Sequence, residues 1–386
     1  ILSLLGITVL PLTLLGTSAS PSSAQDFSIE DVLSPPFPVE MVSAKKVDRI
    51  AWIAFERGMR NVFTAAAPDF SPVALTRWEE DRGQDLTDIR ISDDGEQVVF
   101  VRGHFPNRQG WVANPNSEPG GAEEAIWAVS TSGGDPWRVV EGSEPVLSPD
   151  GRWVLFVRDG QIHRAPVNPG ATGSTPGSAP HPLFRAWGEN GSPVWSPDGR
   201  RIAFVSQRGD HSYVGVYDTE QPGISYMAPG VDRDDQPVWS PDGTQLAFAR
   251  RPGLPFASQA SRPASVPDSL IPPGLEEARF AGGYDLAIWI ADAATGEGRE
   301  VWHNAPADSA FSRIRNLMWG RGHLVFEAEP GNWRHYYSVP VGGREGVPEE
   351  LTPGNGFAEH VSLSRDGRTL YFAGNMDGIH RRDLYK

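Results

Sequence analysis

The sequence predicts an all-β chain, a β-propeller of about seven visible four-stranded blades with the last one incomplete. A repeated turn string, the apolar strand that follows each copy, and a composition rich in turn residues lead to this reading. The string Ser-Pro-Asp-Gly occurs at 148–151, 196–199 and 240–243. Each copy precedes an apolar run, namely Trp153-Val154-Leu155-Phe156, Ile202-Ala203-Phe204-Val205 and Leu246-Ala247-Phe248-Ala249. The turn serines are 48 and 44 residues apart. A fixed period in that range, built of strand–turn–strand units, is the signature of a propeller.

The string has a local reason. Proline pre-sets φ at the first central position of a type I turn, and serine before it is favoured. Aspartate bonds nearby backbone groups, and glycine takes the left-handed conformation that closes a short hairpin with a bulge. These aspartates are therefore read as turn formers without a catalytic role.

Degenerate copies extend the array at both ends. Ile91-Ser92-Asp93-Asp94-Gly95 leads into Val98-Val99-Phe100-Val101, and Leu363-Ser364-Arg365-Asp366-Gly367 leads into Thr369-Leu370-Tyr371-Phe372. Ile50–Ile53 and Leu324–Phe326 are strands of the same kind without the Asp-Gly turn. A third strand follows in most units, at Val62-Phe63, Ile126–Val129, Ile162–Ala165, Val214–Tyr217, Ile288–Ala291 and Tyr336–Val339. The units start near residues 47, 88, 145, 193, 237, 314 and 360. Each sheet alone exposes an apolar face, and stacking neighbours in a ring buries it.

The 42 glycines and 35 prolines suit a chain of tight turns, and 13 tryptophans with 39% hydrophobic residues supply a core. The formal net charge of −15 and the lack of a Lys/Arg stripe exclude nucleic acid as an expected partner. Residues 1–16 are almost wholly apolar and a small-residue tail follows to Ala24. We read residues 1–24 as a signal peptide truncated at its start, 25–46 as a lead-in, and 47–386 as the propeller. The expectation is a periplasmic or secreted bacterial protein, off the membrane once the signal is cleaved; the absence of cysteine suits this. Two stretches interrupt the repeat. Residues 168–182 are rich in Gly, Ser, Thr and Pro and read as a flexible loop. Residues 251–283 form an insertion that is either functional or disordered.

No residue is assigned a catalytic role. There is no Gly-x-Ser-x-Gly elbow, no His-Glu-x-x-His motif, no cysteine nucleophile and no phosphate-binding glycine loop. No metal site and no cofactor are expected.

The stretches between repeats carry a resemblance. Arg60-Asn61-Val62-Phe63 with Pro68-Asp69-Phe70, Arg208–Asp218, Val231-Asp232-Arg233-Asp234 and Phe326–Tyr337 resemble the N-terminal propeller of bacterial serine peptidases of the prolyl oligopeptidase family, dipeptidyl peptidase IV-like branch. Ile379–Tyr385 resembles a further strand of it, with Asp383 where histidine is usual. The resemblance implies a following α/β-hydrolase domain, absent from this chain, with a Ser-Asp-His triad. The propeller would gate access of peptide substrate to that domain in cis. The fragment alone is expected to be inactive.

The family's dipeptidyl peptidases hold the substrate amine with a Glu-Glu pair in an Asp-Trp-x-Tyr-Glu-Glu setting, which is missing here. Peptide specificity stays open between dipeptidyl, acyl-aminoacyl and general oligopeptidase types. Candidate substrate-binding residues are Glu327, Glu329, Trp333 and His335, a polar–aromatic group at a strand end, and Glu276 and Glu277 in the insertion. An alternative is a TolB-like periplasmic propeller acting as an interaction scaffold. That type carries a sizeable domain ahead of its propeller, and only residues 25–46 stand there. A propeller sugar lyase would need a clustered metal or acid site, which the sequence does not display.

Overall fold

The computed structural model describes residue 29 and residues 36–80, 83–104, 107–109, 111–115, 117, 119, 122–168, 182–253, 278–343, 346–376, 378 and 380–386. The expected signal peptide, most of the 168–182 loop, residues 254–277 of the insertion, and with them Glu276 and Glu277, lie outside the described residues.

Every described element is a β-strand, and the strands form successive antiparallel meanders. β1 (Phe37–Ser43), β2 (Arg49–Glu56), β3 (Met59–Ala66) and β4 (Val73–Ala74) make the first sheet. β5 (Leu86–Ile91), β6 (Gln97–Arg102), β7 (Ala125–Ser130) and β8 (Trp137–Glu141) make the second. β9 (Ser143–Leu147), β10 (Trp153–Arg158) and β11 (Gln161–Pro166) form a three-stranded sheet, with a lone bridge from His163 to Pro182. β12 (Glu189–Trp195), β13 (Arg201–Gln207), β14 (Ser212–Asp218) and β15 (Gly223–Tyr226) form the next meander. β16 (Arg233–Trp239), β17 (Gln245–Arg251), β18 (Ala287–Asp292) and β19 (Gly298–His303) follow. These two join into one eight-stranded sheet through a single parallel pairing, Ser212 with Arg233. β20 (Arg315–Trp319), β21 (His323–Ala328), β22 (His335–Pro340) and β23 (Glu349–Glu350) precede the last sheet, β24 (Ala358–Leu363), β25 (Leu370–Gly374) and β26 (Asp383–Tyr385).

The chain is thus a β-propeller, with its strands where the repeats predict them. The expected count of about seven four-stranded blades, the last incomplete, is not reproduced sheet for sheet. Hydrogen bonding divides the described strands into six sheets, one of eight strands and two of three. The first sheet also starts ahead of residue 47, because β1 lies in the segment read as a lead-in and pairs with β2.

The turns follow the predicted chemistry. In the three full copies the glycine N–H donates to the serine carbonyl at 2.8–2.9 Å, and φ at Gly151, Gly199 and Gly243 is 69–71°. The serine hydroxyl donates to the aspartate, at 2.6 Å for Ser148–Asp150 and Ser240–Asp242, with the same bond in Ser196–Asp198. It also accepts the N–H of the residue opening the next strand, as from Trp153 at 3.0 Å. Ser92–Asp94 and Ser364–Asp366 repeat this in the degenerate copies. The Ser240 hydroxyl and the Thr244 N–H hold the Asp242 carboxyl below its usual range.

Burial explains the strand compositions. Second strands such as β6 (QVVFVR) are covered on both faces and read as continuous apolar runs. Phe100, Phe156, Phe204, Phe248 and Phe326 are fully buried at matching places in five of them. Six core clusters each sit between two meanders adjacent in sequence. First strands pack on one another in order, β1 on β5, β5 on β9, β9 on β12, β12 on β16 and β16 on β20. That places the polar first strands on the inside of the array.

Candidate functional site

The Ser-Pro-Asp-Gly turns join first to second strands along one rim. On the opposite rim, first strands begin and second strands end. The sequence candidates fall there, in the connection from β21 to β22.

The structure separates them. Glu327 pairs with Tyr336 in the β-ladder and His335 pairs with Ala328, so Glu327 and His335 lie on opposite faces of the sheet. Glu327 is buried, accepts a hydrogen bond from Asn316 Nδ2 at 2.8 Å and one from Tyr336 Oη at 3.3 Å, and has Arg334 at 3.7 Å. Burial, with the Glu327 carboxylate nearby, pushes the Tyr336 phenol up to about 12, which keeps it a donor. His335 is also buried; Nδ1 lies 2.6 Å from Glu350 Oε1 and Nε2 lies 2.9 Å from the Gly356 carbonyl. Trp333 is half-buried edge-on against Phe357 at 4.8 Å. Glu329 alone of the four presents an exposed side chain. Glu327 and His335 therefore brace the blade, and the exposed carboxylate of Glu329 is the group free to meet a ligand.

Three features escaped sequence reasoning. The first is a recurring bulge. Each first strand has a register shift against its second strand, and Glu40, Asp88, Glu144, Ser192, Gln236, Asn316 and His360 sit there with φ of 48–54°. Their common signal is position, four residues ahead of each turn serine or its equivalent. All seven are polar. Glu40 accepts from the Ile89 N–H at 3.3 Å and Gln236 from the Leu317 N–H at 3.4 Å, so these side chains tie one meander to the next.

The second is the buried pair Asp234–Arg250. Arg250 donates from Nε to Oδ1 at 2.7 Å and from Nη2 to Oδ2 at 2.8 Å, with a further bond to the Ala228 carbonyl at 2.6 Å. Its guanidinium lies over Trp289 at 4.3 Å. Burial pushes the Asp234 carboxyl up to about 6 against the opposing pull of Arg250.

The third is an arginine-lined cavity of about 460 Å³ beside that pair, bordered by Arg233, Arg251, Arg279 and Arg313. These residues are scattered over 80 positions, so no stripe marks them in the sequence. Among the described residues no group of three or more His, Cys, Asp or Glu is placed to hold a metal ion. No helix among them is long and apolar enough to cross a membrane.

No protein-family model matches the chain, and no curated protein does. Solved structures do. A prolyl endopeptidase structure aligns with 92% of this chain and 50% of its own length, at 13% identity and a TM-score of 0.59. Porphyromonas gingivalis dipeptidyl peptidase 4 aligns with 89% of this chain and 51% of its own, at 12% identity and 0.54. The β-propeller domain of the trilobed protease from Pyrococcus furiosus aligns with 90% of this chain and 92% of its own, at 12% identity and 0.51. The chain therefore spans about half the length of the first two proteins. At these identities the likeness is one of fold, and the chain has the β-propeller fold found in these peptidases.

Proposed function

We propose that this chain is the substrate-gating propeller of an exported serine peptidase of the prolyl oligopeptidase type, whose catalytic α/β-hydrolase domain follows it in cis. The alignment of nine-tenths of the chain on an isolated protease propeller, and on half of two larger peptidases, carries the reading. The family-like stretches Val231–Asp234 and Phe326–Tyr337 support it from the sequence. The substrates are short peptides, and the apolar opening of the chain supports export to the periplasm or beyond.

The ring has seven blades on this reading. The eight-stranded sheet counts as two, since one parallel pairing joins its halves. Seven bulge residues and six inter-meander cores support that count. Glu329 offers a carboxylate to a peptide amine at the rim, where a charge-assisted hydrogen bond is strong.

The test is serine-directed fluorophosphonate labelling of the full-length gene product. The label is expected on a serine beyond residue 386, with the 386-residue chain itself unlabelled and inactive on peptides. A label within the chain, or none anywhere, contradicts the proposal; the second outcome favours a TolB-type scaffold.

A further inference from the structure

His335 opens β22 and is buried, and both of its ring nitrogens face oxygen acceptors. Nδ1 lies 2.6 Å from Glu350 Oε1 on β23, and Nε2 lies 2.9 Å from the Gly356 carbonyl. A neutral imidazole has one N–H and one bare lone pair, whereas the imidazolium has two donors. With a single proton, whichever nitrogen keeps it, the other turns a lone pair toward an acceptor oxygen. That forfeits a hydrogen bond in a buried place, which is costly. All the partners are satisfied when two protons lie in the unit Glu350–His335–Gly356. Hydrogen bonds between charged groups are also the strong kind.

Gly356 belongs to the connection 351–357, which leads from β23 into the last meander. The ends of the connection are held by other means. The Leu351 N–H donates to the Tyr336 carbonyl at 2.8 Å, and Thr352 Oγ1 accepts from the Tyr336 N–H at 2.9 Å. The Phe357 N–H donates to Asn375 Oδ1 at 2.7 Å. Between these ends Pro353, Gly354 and Asn355 are exposed, and His335 reaches this stretch through Gly356.

The charges around the ring are few. On β22, Arg334 turns to Glu327 at 3.7 Å, and Tyr337 Oη lies 3.5 Å from Glu350 Oε1. Burial, and after it the Glu350 charge, push the Tyr337 phenol up to about 12, so it stays a donor to that carboxylate. The ladder partner on β21 is Ala328, and residues 351–357 carry no charge. In the preceding meander, Glu300 and His303 face Tyr284. Asp308, in the connection that packs Phe311 on Tyr337, accepts from the Ala310 N–H, and Arg313 borders the arginine-lined cavity. In the last meander Glu359 pairs with Arg382. Glu350 is therefore the charged partner of His335 among the described residues.

We propose that Glu350, His335 and the Gly356 carbonyl form a proton-dependent clamp, which holds the connection between the last two meanders while both ring nitrogens carry protons and loosens it when one proton leaves. The two-proton form is the one that fits. The clamp is therefore whole at acid pH and opens as pH rises through the imidazole range. The connection ends at Phe357, against which Trp333 packs edge-on at 4.8 Å. Through that contact the clamp makes the order of the rim near Glu329 sensitive to pH.

The experiment is hydrogen–deuterium exchange of the 386-residue chain at about pH 5.5 and about pH 8.5, with rates corrected for the intrinsic pH dependence of exchange. The amides of Leu351, Phe357 and Ala358 are expected to be about tenfold more protected at the acid value. Spectra of 15N-histidine-labelled chain should show both ring N–H groups of His335 there. His335→Gln should lower the acid protection and remove its pH dependence. Glu350→Gln discriminates further, because its amide N–H can donate to a bare Nδ1 while Nε2–H stays on Gly356. That variant should keep its protection at about pH 8.5 and show no pH dependence. Where His335→Gln does not fold, Glu350→Gln carries the comparison. His323→Gln, exposed at the start of β21, should behave as the parent does. Equal corrected protection of the parent at the two pH values, a pH dependence that survives Glu350→Gln, or a one-proton His335 ring at the acid value would overturn the proposal. Each readout is made on this chain alone, so a negative result leaves the fluorophosphonate test of gating untouched.

Discussion

Arg250 and Asp234 are direct cross-strand partners on β17 and β16, joined by two hydrogen bonds at 2.7 and 2.8 Å and almost completely buried. The pair fixes the end of the eight-stranded sheet next to the arginine cavity. Each charge is tolerated in the interior because the other is there.

Removing one partner exposes that dependence. Arg250→Met should destabilise the chain by about 3–5 kcal/mol at neutral pH, because Asp234 is left as an uncompensated buried carboxylate. The sign with pH follows from a carboxyl already raised by burial to about 6 and raised further without Arg250. Its protonated form is the one the folded state accepts. Stability is therefore retained at low pH and lost as pH rises through the folded pKa. Urea unfolding of Arg250→Met at about pH 5 and pH 8 should show the variant more stable at the acidic value. A flat pH response in the variant would contradict this account of the pair.

The turn aspartates give the opposite dependence. Asp242 and Asp366 are held below their usual range first by the hydroxyls of Ser240 and Ser364. Burial works against the shift at Asp150 and Asp198, but bonds from Ser148 and Ser196 and from the following backbone outweigh it. These groups stabilise the fold above the unfolded carboxyl range, and the contribution disappears as pH falls through the lower folded values. Replacing all four with Asn should flatten the loss of melting temperature below about pH 4. An acid limb as steep as that of the parent would place its origin elsewhere.

Two glycines should respond differently to alanine. Gly243 has φ of 71° and a modest neighbour, Pro197 Cδ at 3.4 Å from an added Cβ, so Gly243→Ala should cost about 1–2 kcal/mol from backbone strain. Gly215 faces Phe204, whose Cζ would lie 2.6 Å from the added Cβ, in the fully buried core. Gly215→Ala should cost about 1–3 kcal/mol by overpacking and should also disturb the Phe204–Phe184 ring contact. Near-ultraviolet circular dichroism separates the two, since only the second changes an aromatic environment.

At the rim, His335→Ala should cost about 1–3 kcal/mol by leaving Glu350 and the Gly356 carbonyl without their partner. In the full-length protein, Glu329→Gln should raise KM for free-amine peptides and leave N-blocked ones unchanged. Glu327→Gln should lower the melting temperature and shift both substrate classes alike. A reversal of these two patterns would move the amine site to Glu327.

Most of the strand framework was legible, for a physical reason. Strands covered on both faces must be apolar throughout, and tight turns must carry Pro, Asp and Gly, so Trp153–Phe156 and Ser148–Gly151 announce themselves. β1 was not, because no Asp-Gly turn follows Phe37–Ser43 to mark it as the opening strand of a unit. The site was read less well. Adjacency in sequence grouped Glu327 with His335, but the ladder puts them on opposite faces. The arginine cavity is built by strand register and a loop, bringing Arg233, Arg251 and Arg313 together from positions that no local pattern connects. The bulge residues were invisible one at a time, since a polar residue in left-handed backbone stands out only when seven recur at one place.

The central claim is that this propeller gates a peptidase, and substrate size tests it most directly. The full-length protein should be assayed for kcat/KM on a short unstructured peptide and on the same sequence displayed in a loop of a folded protein. Gating predicts ready cleavage of the peptide and none of the folded carrier. Equal cleavage of the two would contradict it.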